Sequence, residues 1–467
     1  MSESKVAHVS SVFRLNEISR ATNVVSDPAQ LTEYAIGDLL PACIARPESG
    51  REVADIVKFA ASEKLAIVPC GARTKLAMGG PPRQYDVAVD MTSLDHILAY
   101  DPGDLTLSVE PGVRLAKLAD VLAEHRQFLP LTVPFWNRTT VGGTIASGVD
   151  SPLRQFYGTV RDYVLGMEFV TGDGAIAKSG GRVVKNVAGY DLHKLMIGAS
   201  GTLGVIAKIN LRTFPTLAEM RAFVACCDTA EQALEIRRRL AGSVLRPVTM
   251  EILSPGAAEL LSSEIAVRIE PGNLPRDLVS DKKWIFVSSC AGGAKALARC
   301  EREFRQMADE AGAVSASIWE NQYALFAGLI REFVPIALQS SPSTTIVKVS
   351  VLPARVREML AAIANTAEAS GIQWAAMVRG LGVAYVALLP TTLDQENLRR
   401  VVEATETILR ECERLGGNAS IPWCPEEWKA SLKIWGQARD DFEQMKKLKA
   451  VFDPHGIFAP GRFVGGS

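Results

Sequence analysis

The spacing of apolar positions changes character near Pro215. Before it, apolar runs are short and broken by turns. Pro47 to Lys64 opens on Pro-Glu-Ser-Gly and then places Val53, Ile56, Val57 and Ala60 one helical turn apart, which predicts a helix. The strand LAIVPC follows, then a polar hairpin region at Gly71 to Lys75, strands at Val87 to Met91 and Leu105 to Gly112, and a helix at Leu115 to His125. Val164 to Gly174 alternates in the manner of a half-buried strand and ends on a Gly-Asp-Gly turn.

From Leu217 onward strand, helix and strand repeat. Strands are predicted at Arg221–Cys227, VTMEILS, WIFVSSC, AVSASIW, TTIVKVSVL, IQWAAMV and VAYVALL, with helices at Ala230–Ala241, Lys295–Ala311, Ala354–Ser370 and Leu393–Leu415. Long helices returning between antiparallel strands imply an α+β layer with helices on one face of a sheet. The final stretch begins as a helix after Trp435 and ends in FDPHGIFAPGRF, an ordered turn or anchor.

Composition narrows the function classes. The chain has 467 residues, 51 Lys+Arg against 52 Asp+Glu and a net charge of −1, with no basic tail to suggest nucleic acid. It contains no apolar stretch near the roughly 18 residues of a membrane span. MSESKVAHVSSVFRL lacks the features of a signal peptide, so the expectation is a cytoplasmic protein. None of the eight cysteines has the spacing of a zinc or iron–sulfur clip, and the five histidines lie at least 29 residues apart. No metal site is expected, and the chemistry is assigned to a bound organic cofactor.

Glycine is the uneven term: 13 of 37 fall between Gly142 and Gly204. Such density marks backbone close to a ligand, or many tight turns. Three local segments stand out. Pro69-Cys70-Gly71-Ala72-Arg73-Thr74-Lys75 follows a strand and reads either as a backbone nest for phosphate or as a hairpin turn with two solvated cations. Thr139 to Gly148 pairs Gly142 and Gly143 between hydroxyls, and Gly198 to Ile206 leads into a strand. Neither has the strand-to-helix spacing of a Rossmann fingerprint.

Taken in order, RPESGREVADIVKFA, PCGARTK, VAVDMTSLDHI, VEPGV, TVGGTIASG, YGTVRDYVLGMEFVTGDG and KNVAGYDLHKLMIGASGTLGVI resemble the FAD-binding domain of the vanillyl-alcohol oxidase and p-cresol methylhydroxylase (PCMH) superfamily. GGNASIPWCPEEWKASLKIWG and MKKLKAVFDPHGIFAPGRF narrow the resemblance to the smaller FAD-binding subunit of bacterial glycolate oxidase complexes.

The resemblance implies an α+β fold: an N-terminal extension (1–36), a two-subdomain PCMH-type FAD-binding domain (37–216), a ferredoxin-like α+β cap with an antiparallel sheet (217–435), and a tail (436–467) packing back on the FAD domain. It implies FAD, expected to be non-covalent because Cys70 is not at the attachment position and the loop has no histidine. The implied cofactor contacts are Pro69, Cys70, Gly71, Ala72, Arg73, Thr74, Lys75, Thr140, Val141, Gly142, Gly143, Ser147, Gly148, Gly201, Gly204, Val205 and Ile206. His455 and Arg462 are expected to close the tail onto this domain.

Metal-dependent relatives carry a histidine pair in the cap. The corresponding MVRGLGVAYVALL has none. One reading is then a subunit that oxidises a small 2-hydroxy acid beside a larger FAD-binding subunit and passes electrons to an iron–sulfur subunit, the assembly docking or not docking on the inner membrane. A second is a self-sufficient D-lactate-type dehydrogenase with Arg379 or Lys348 as anion clamp and Tyr385 as proton donor; against it, Lys348 reads as a snorkelling edge residue and Arg379 as a solvated turn residue. A third is a flavin-binding scaffold without turnover. His193 reads as a hydrogen-bonded structural residue.

Overall fold

The computed structural model describes residues 23–183, 189–217, 219–268, 283–318 and 320–467. The first 22 residues of the expected extension, and part of the KNVAGYDLH motif, lie outside these.

The amino-terminal half contains two principal sheets. The first orders its strands Asn23–Val25, Cys43–Arg46, Val87–Asp90 and Ile67–Cys70, the last three running parallel. Parallel neighbours need a crossover, and the helix Gly50–Glu63 supplies it. Ser49 caps it by accepting from the Glu52 N–H, Lys64 ends it at φ 56°, and Val53, Ile56, Val57 and Ala60 face the sheet. The second sheet is antiparallel, ordered Ile97–Asp101, Thr106–Val109, Val205–Arg212, Val164–Val170, Ile176–Gly180. Its core is filled by Leu107, Val109, Ile209 and Leu211 against Leu115, Leu118 and Leu122 of the helix Leu115–Ala123.

Residues 220–423 form one eight-stranded antiparallel sheet, ordered Val314–Ile318, Met220–Cys227, Trp284–Ala291, Thr249–Leu253, Gln373–Arg379, Val383–Leu389, Thr345–Ser350 and Asn418–Trp423. Because side chains alternate, each strand feeds both faces. Val347, Val349, Ala376, Val378, Ala384 and Val386 meet the helices Ala230–Ala241, Ala294–Glu310, Val356–Ser370 and Gln395–Arg414.

The opposite face departs from the expected single helical layer. Three further helices, Pro255–Arg268, Glu320–Arg331 and Phe333–Ser340, cover part of it through Leu261, Phe326, Leu329 and Phe333. At roughly 1.5–3 kcal/mol for each large apolar side chain buried, this face cannot be left to water. Met78 and Phe135 of the amino-terminal half pack against the same face. Lys348, Arg379 and Tyr385 therefore look toward the other half of the molecule.

The tail returns to the first sheet. The Ile67 N–H donates to the Ile457 carbonyl at 2.8 Å and the Ala459 N–H to the Ile67 carbonyl at 2.9 Å. Among the described residues no helix is long and apolar enough to cross a membrane.

Candidate functional site

A cleft of about 850 Å³ opens where the strand Ile67–Cys70 ends, between the loop Cys70–Lys75, the turn Thr140–Ser147 and the turn Ser200–Gly204. Fifteen of the seventeen residues expected to touch the cofactor line it. The exceptions are Val141, fully buried in the amino-terminal core, and Gly148, which lines the next cavity.

The glycines divide into two kinds. At Gly71 a Cβ would lie 2.2 Å from the Thr140 hydroxyl oxygen, and at Gly142 it would lie 2.5 Å from Pro111 Cβ. These positions let chain pack on chain. At Gly143 the only atom near a Cβ is Thr140 Oγ1 at 3.1 Å, so a longer side chain there would grow into the cleft. Gly201 has φ +73° and holds its turn over Pro69. Only Gly142, Gly143, Gly201 and Gly204 of the glycine-rich window line the cleft. Gly166 and Gly180 instead press against each other's strands. The window is therefore mainly a packing device, and a wall of the cleft only in part.

The cations of the loop are not equivalent. Arg73 turns its guanidinium back, donating to the Tyr34 hydroxyl and the Glu33 carboxylate, both at 2.8 Å. Tyr34 in turn donates to Asp90, and burial and this carboxylate push its phenol up to about 12. Lys75 is half-buried on the wall of the cleft. Its ammonium donates to the hydroxyls of Thr139 and Thr74, and burial lowers its pKa to about 8. Among the described residues no carboxylate lies within ion-pair distance of Lys75. An ammonium beside backbone and hydroxyl donors suits a diphosphate.

Cys70 points away from this chemistry. Its thiol is buried, lies 3.7 Å from the Val89 carbonyl, and is pushed up in pKa by burial. His193 is also buried, with Nδ1 3.0 Å from Ser179 Oγ, and does not line the cleft. His455 is exposed, contrary to expectation; Asp453 fixes the tail instead, accepting from Lys449 and from the Ile457 and Phe458 N–H groups. Arg462 does close onto this half, donating from Nη2 to the carbonyls of Leu76 and Met78.

Sequence reasoning missed Met78, Pro111 and Ser200 as cleft residues, and placed Arg462 without assigning it to the cleft. Met78 and Ser147 also border a second cavity of about 460 Å³, closed on the cap side by Lys348, Tyr385, Ser420, Trp423 and Trp435. Lys348 stands opposite Tyr385 in register and opposite Ser420 on its other neighbour. Its strand is thus paired on both sides, and the edge reading is corrected. Its ammonium is 5.9 Å from the Tyr385 ring centroid, with no carboxylate in ion-pair distance among the described residues.

Arg379 is likewise no solvated turn residue. It is 5% exposed, donates from Nη1 to Asp150 at 2.8 Å, and lies 5.2 Å from the Tyr385 ring centroid. Burial opposes charge on Asp150, but Arg379, Lys348 and Arg154 outweigh it and hold the carboxyl below its usual range. Glu251, opposite Arg379 in register, has Oε1 3.9 Å from Arg379 Nε. Complete burial raises its pKa to about 7. Among the described residues no three His, Cys, Asp or Glu side chains are grouped to hold a metal.

The geometry accords with known proteins. Residues 41–180 match the FAD binding domain family, and 217–421 with 435–463 match the C-terminal domain of FAD linked oxidases, the latter over half of the chain. The chain is 25% identical to glycolate oxidase subunit GlcD of Bacillus subtilis over 426 residues, 91% of this chain and 89% of that one. It is 37% identical to glycolate oxidase subunit GlcE of Escherichia coli over 160 residues, 34% of this chain and 45% of that one. A solved structure of p-cresol methylhydroxylase superposes with a TM-score of 0.77 at 17% identity, covering 98% of this chain and 97% of that one. The chain belongs to the FAD-linked oxidases, and its cofactor is FAD.

Proposed function

We propose that the protein oxidises a small 2-hydroxy acid within a glycolate oxidase-like complex and passes the electrons to an iron–sulfur subunit. In this reading residues 37–216 hold FAD and residues 217–435 present the substrate. The observation that carries it is the cavity between the two, where Lys348 offers an ammonium without a carboxylate partner among the described residues beside the cofactor cleft. An ammonium in that place binds a carboxylate. Tyr385, next to it in register, takes the hydroxyl end, and the Arg379–Asp150 pair fixes the sheet against the loop after Gly148. Bound FAD supplies the two-electron acceptor.

The cofactor is held without a covalent bond in this reading. The Cys70 thiol lies against Val89, and burial keeps it from ionising. An iron–sulfur centre belongs to another chain, because no two cysteines here have the spacing of a cluster motif. The GlcE likeness fits a complex of related flavoprotein subunits.

Anaerobic addition of glycolate or D-lactate to the purified chain tests the reading through the flavin absorbance. Bleaching with either acid, weakened at least tenfold in half-saturation by Lys348→Met without loss of FAD, is the expected result. Wild-type behaviour of that variant sinks the role of Lys348. A native pull-down that recovers no iron–sulfur protein removes the complex.

A further inference from the structure

The carboxyl-terminal tail delivers a cation to the cleft. It runs beside the strand Ile67–Cys70, and the Arg83 and Gly80 N–H groups donate to the carbonyls of Pro460 and Arg462 at 2.8 and 3.0 Å. The Trp435 indole also donates to the Arg462 carbonyl, at 2.9 Å. With its backbone fixed in this way, the Arg462 side chain enters between Leu76 and Met78 and lines the cleft. It is 5% exposed.

The bonds of this guanidinium do not balance. Nη2 holds two carbonyl oxygens, while Nη1 is buried with no acceptor. Among the described residues no carboxylate lies in ion-pair distance. Burial depresses the pKa of Arg462 to about 10, yet leaves it charged at neutral pH. A buried charged N–H without an acceptor in the chain is costly, and an acceptor from outside it, a ligand or a bound water, offsets that cost; on the wall of the cleft a ligand is in reach.

We propose that Arg462 is a direct ligand of FAD, its Nη1 donating to an oxygen of the bound dinucleotide, so that the cofactor site is complete only when the tail has returned. The acceptor is either a diphosphate oxygen or a carbonyl oxygen of the flavin ring. Both are the same chemistry, an oxygen acceptor for a charge-assisted bond.

The test strips FAD from the full-length protein and titrates it back. Arg462→Met should weaken FAD binding about 30-fold, the loss expected of one charge-assisted hydrogen bond. Arg462→Lys can hold Leu76 and Met78 but offers no second nitrogen, and should lose about tenfold. Lys449→Met is the control: Lys449 anchors the same tail to the Thr202 and Phe458 carbonyls outside the cleft, and its loss should change FAD affinity less than threefold. Wild-type affinity in Arg462→Lys overturns the proposal. So does an equal loss in the Arg462 and Lys449 variants, which would make the tail a closure and Arg462 no ligand. The midpoint potential of FAD-loaded Arg462→Lys identifies the acceptor: a lowered potential assigns the flavin ring, and an unchanged one the diphosphate.

Discussion

On the amino-terminal wall of the cleft the chain withdraws its side chains: Gly143 lines it with only Thr140 Oγ1 near its missing Cβ, Gly201 holds a turn over Pro69, and the Arg73 guanidinium folds back onto Tyr34 and Glu33. The cap does the reverse: from adjacent strands of one sheet face it presents Lys348 and Tyr385 to the neighbouring cavity, with Arg379 and Glu251 buried on the same face. A long cofactor is gripped by backbone over many contacts, so its wall needs room. On the proposed function, a small acid offers few contacts, so the surface that binds it needs charge held in place. Low-dielectric burial makes that charge effective and also makes it expensive.

The contrast breaks most directly at the paired glycines. Gly142→Leu drives a Cβ against Pro111 and its carbonyl at 2.5 and 2.9 Å, and is expected to leave no soluble folded protein. Gly143→Leu, one residue on, should fold with a near wild-type circular dichroism spectrum and lose FAD absorbance altogether. If both variants behave alike, the division between packing and cleft glycines is wrong.

Next in size is the buried pair that joins the walls. Asp150→Ala leaves Arg379 without its 2.8 Å partner and is expected to cost about 3 kcal/mol in urea unfolding. The folded-state pKa of Asp150 is depressed, so its contribution is present above the unfolded carboxyl value near pH 4 and is lost as pH falls through the folded value. The variant should therefore close the gap to wild type on acidification.

The glycine turns and strands of the amino-terminal wall were legible as local signals, but it was the family resemblance that singled out the seventeen expected contacts, of which 15 line one cleft. The cap wall was less so. Asp150 and Arg379 are 229 residues apart, and each alone reads as a solvated residue. The second helical layer was missed for a related reason: Phe333–Ser340 carries Pro335 in its first turn, which reads as a breaker, and its apolar residues have no clear polar counter-face. Val141 sat inside the right motif, but the helix Val141–Ser147 turns it into the core.

Lys75 sharpens the comparison from the cofactor side, as the one loop cation left without a carboxylate among the described residues. If it is the diphosphate counter-ion, FAD affinity is full below pH 8 and falls about tenfold per pH unit above it as the ammonium deprotonates in the apoprotein. Lys75→Met should bind FAD more weakly, by about tenfold at pH 7, with no slope between pH 7 and 9. A wild-type profile in the variant assigns the diphosphate to backbone alone.

The smallest effect expected belongs to Glu251, whose Oε1 has no hydrogen-bond partner and whose pKa burial raises to about 7. The folded state here holds a proton that the unfolded chain releases near pH 4.3. Stability is therefore greatest below the unfolded value, declines as pH climbs from about 4.3 to 7, and is constant beyond. Glu251→Gln removes the ionisable group while keeping its shape. Urea midpoints should show the variant about 1–2 kcal/mol more stable than wild type at pH 8 and equal to it at pH 4. A variant that is less stable at pH 8 would mean that the glutamate carboxylate is needed by Arg379, and that the cap face, unlike the cofactor wall with its Lys75 unpaired among the described residues, holds no uncompensated charge there.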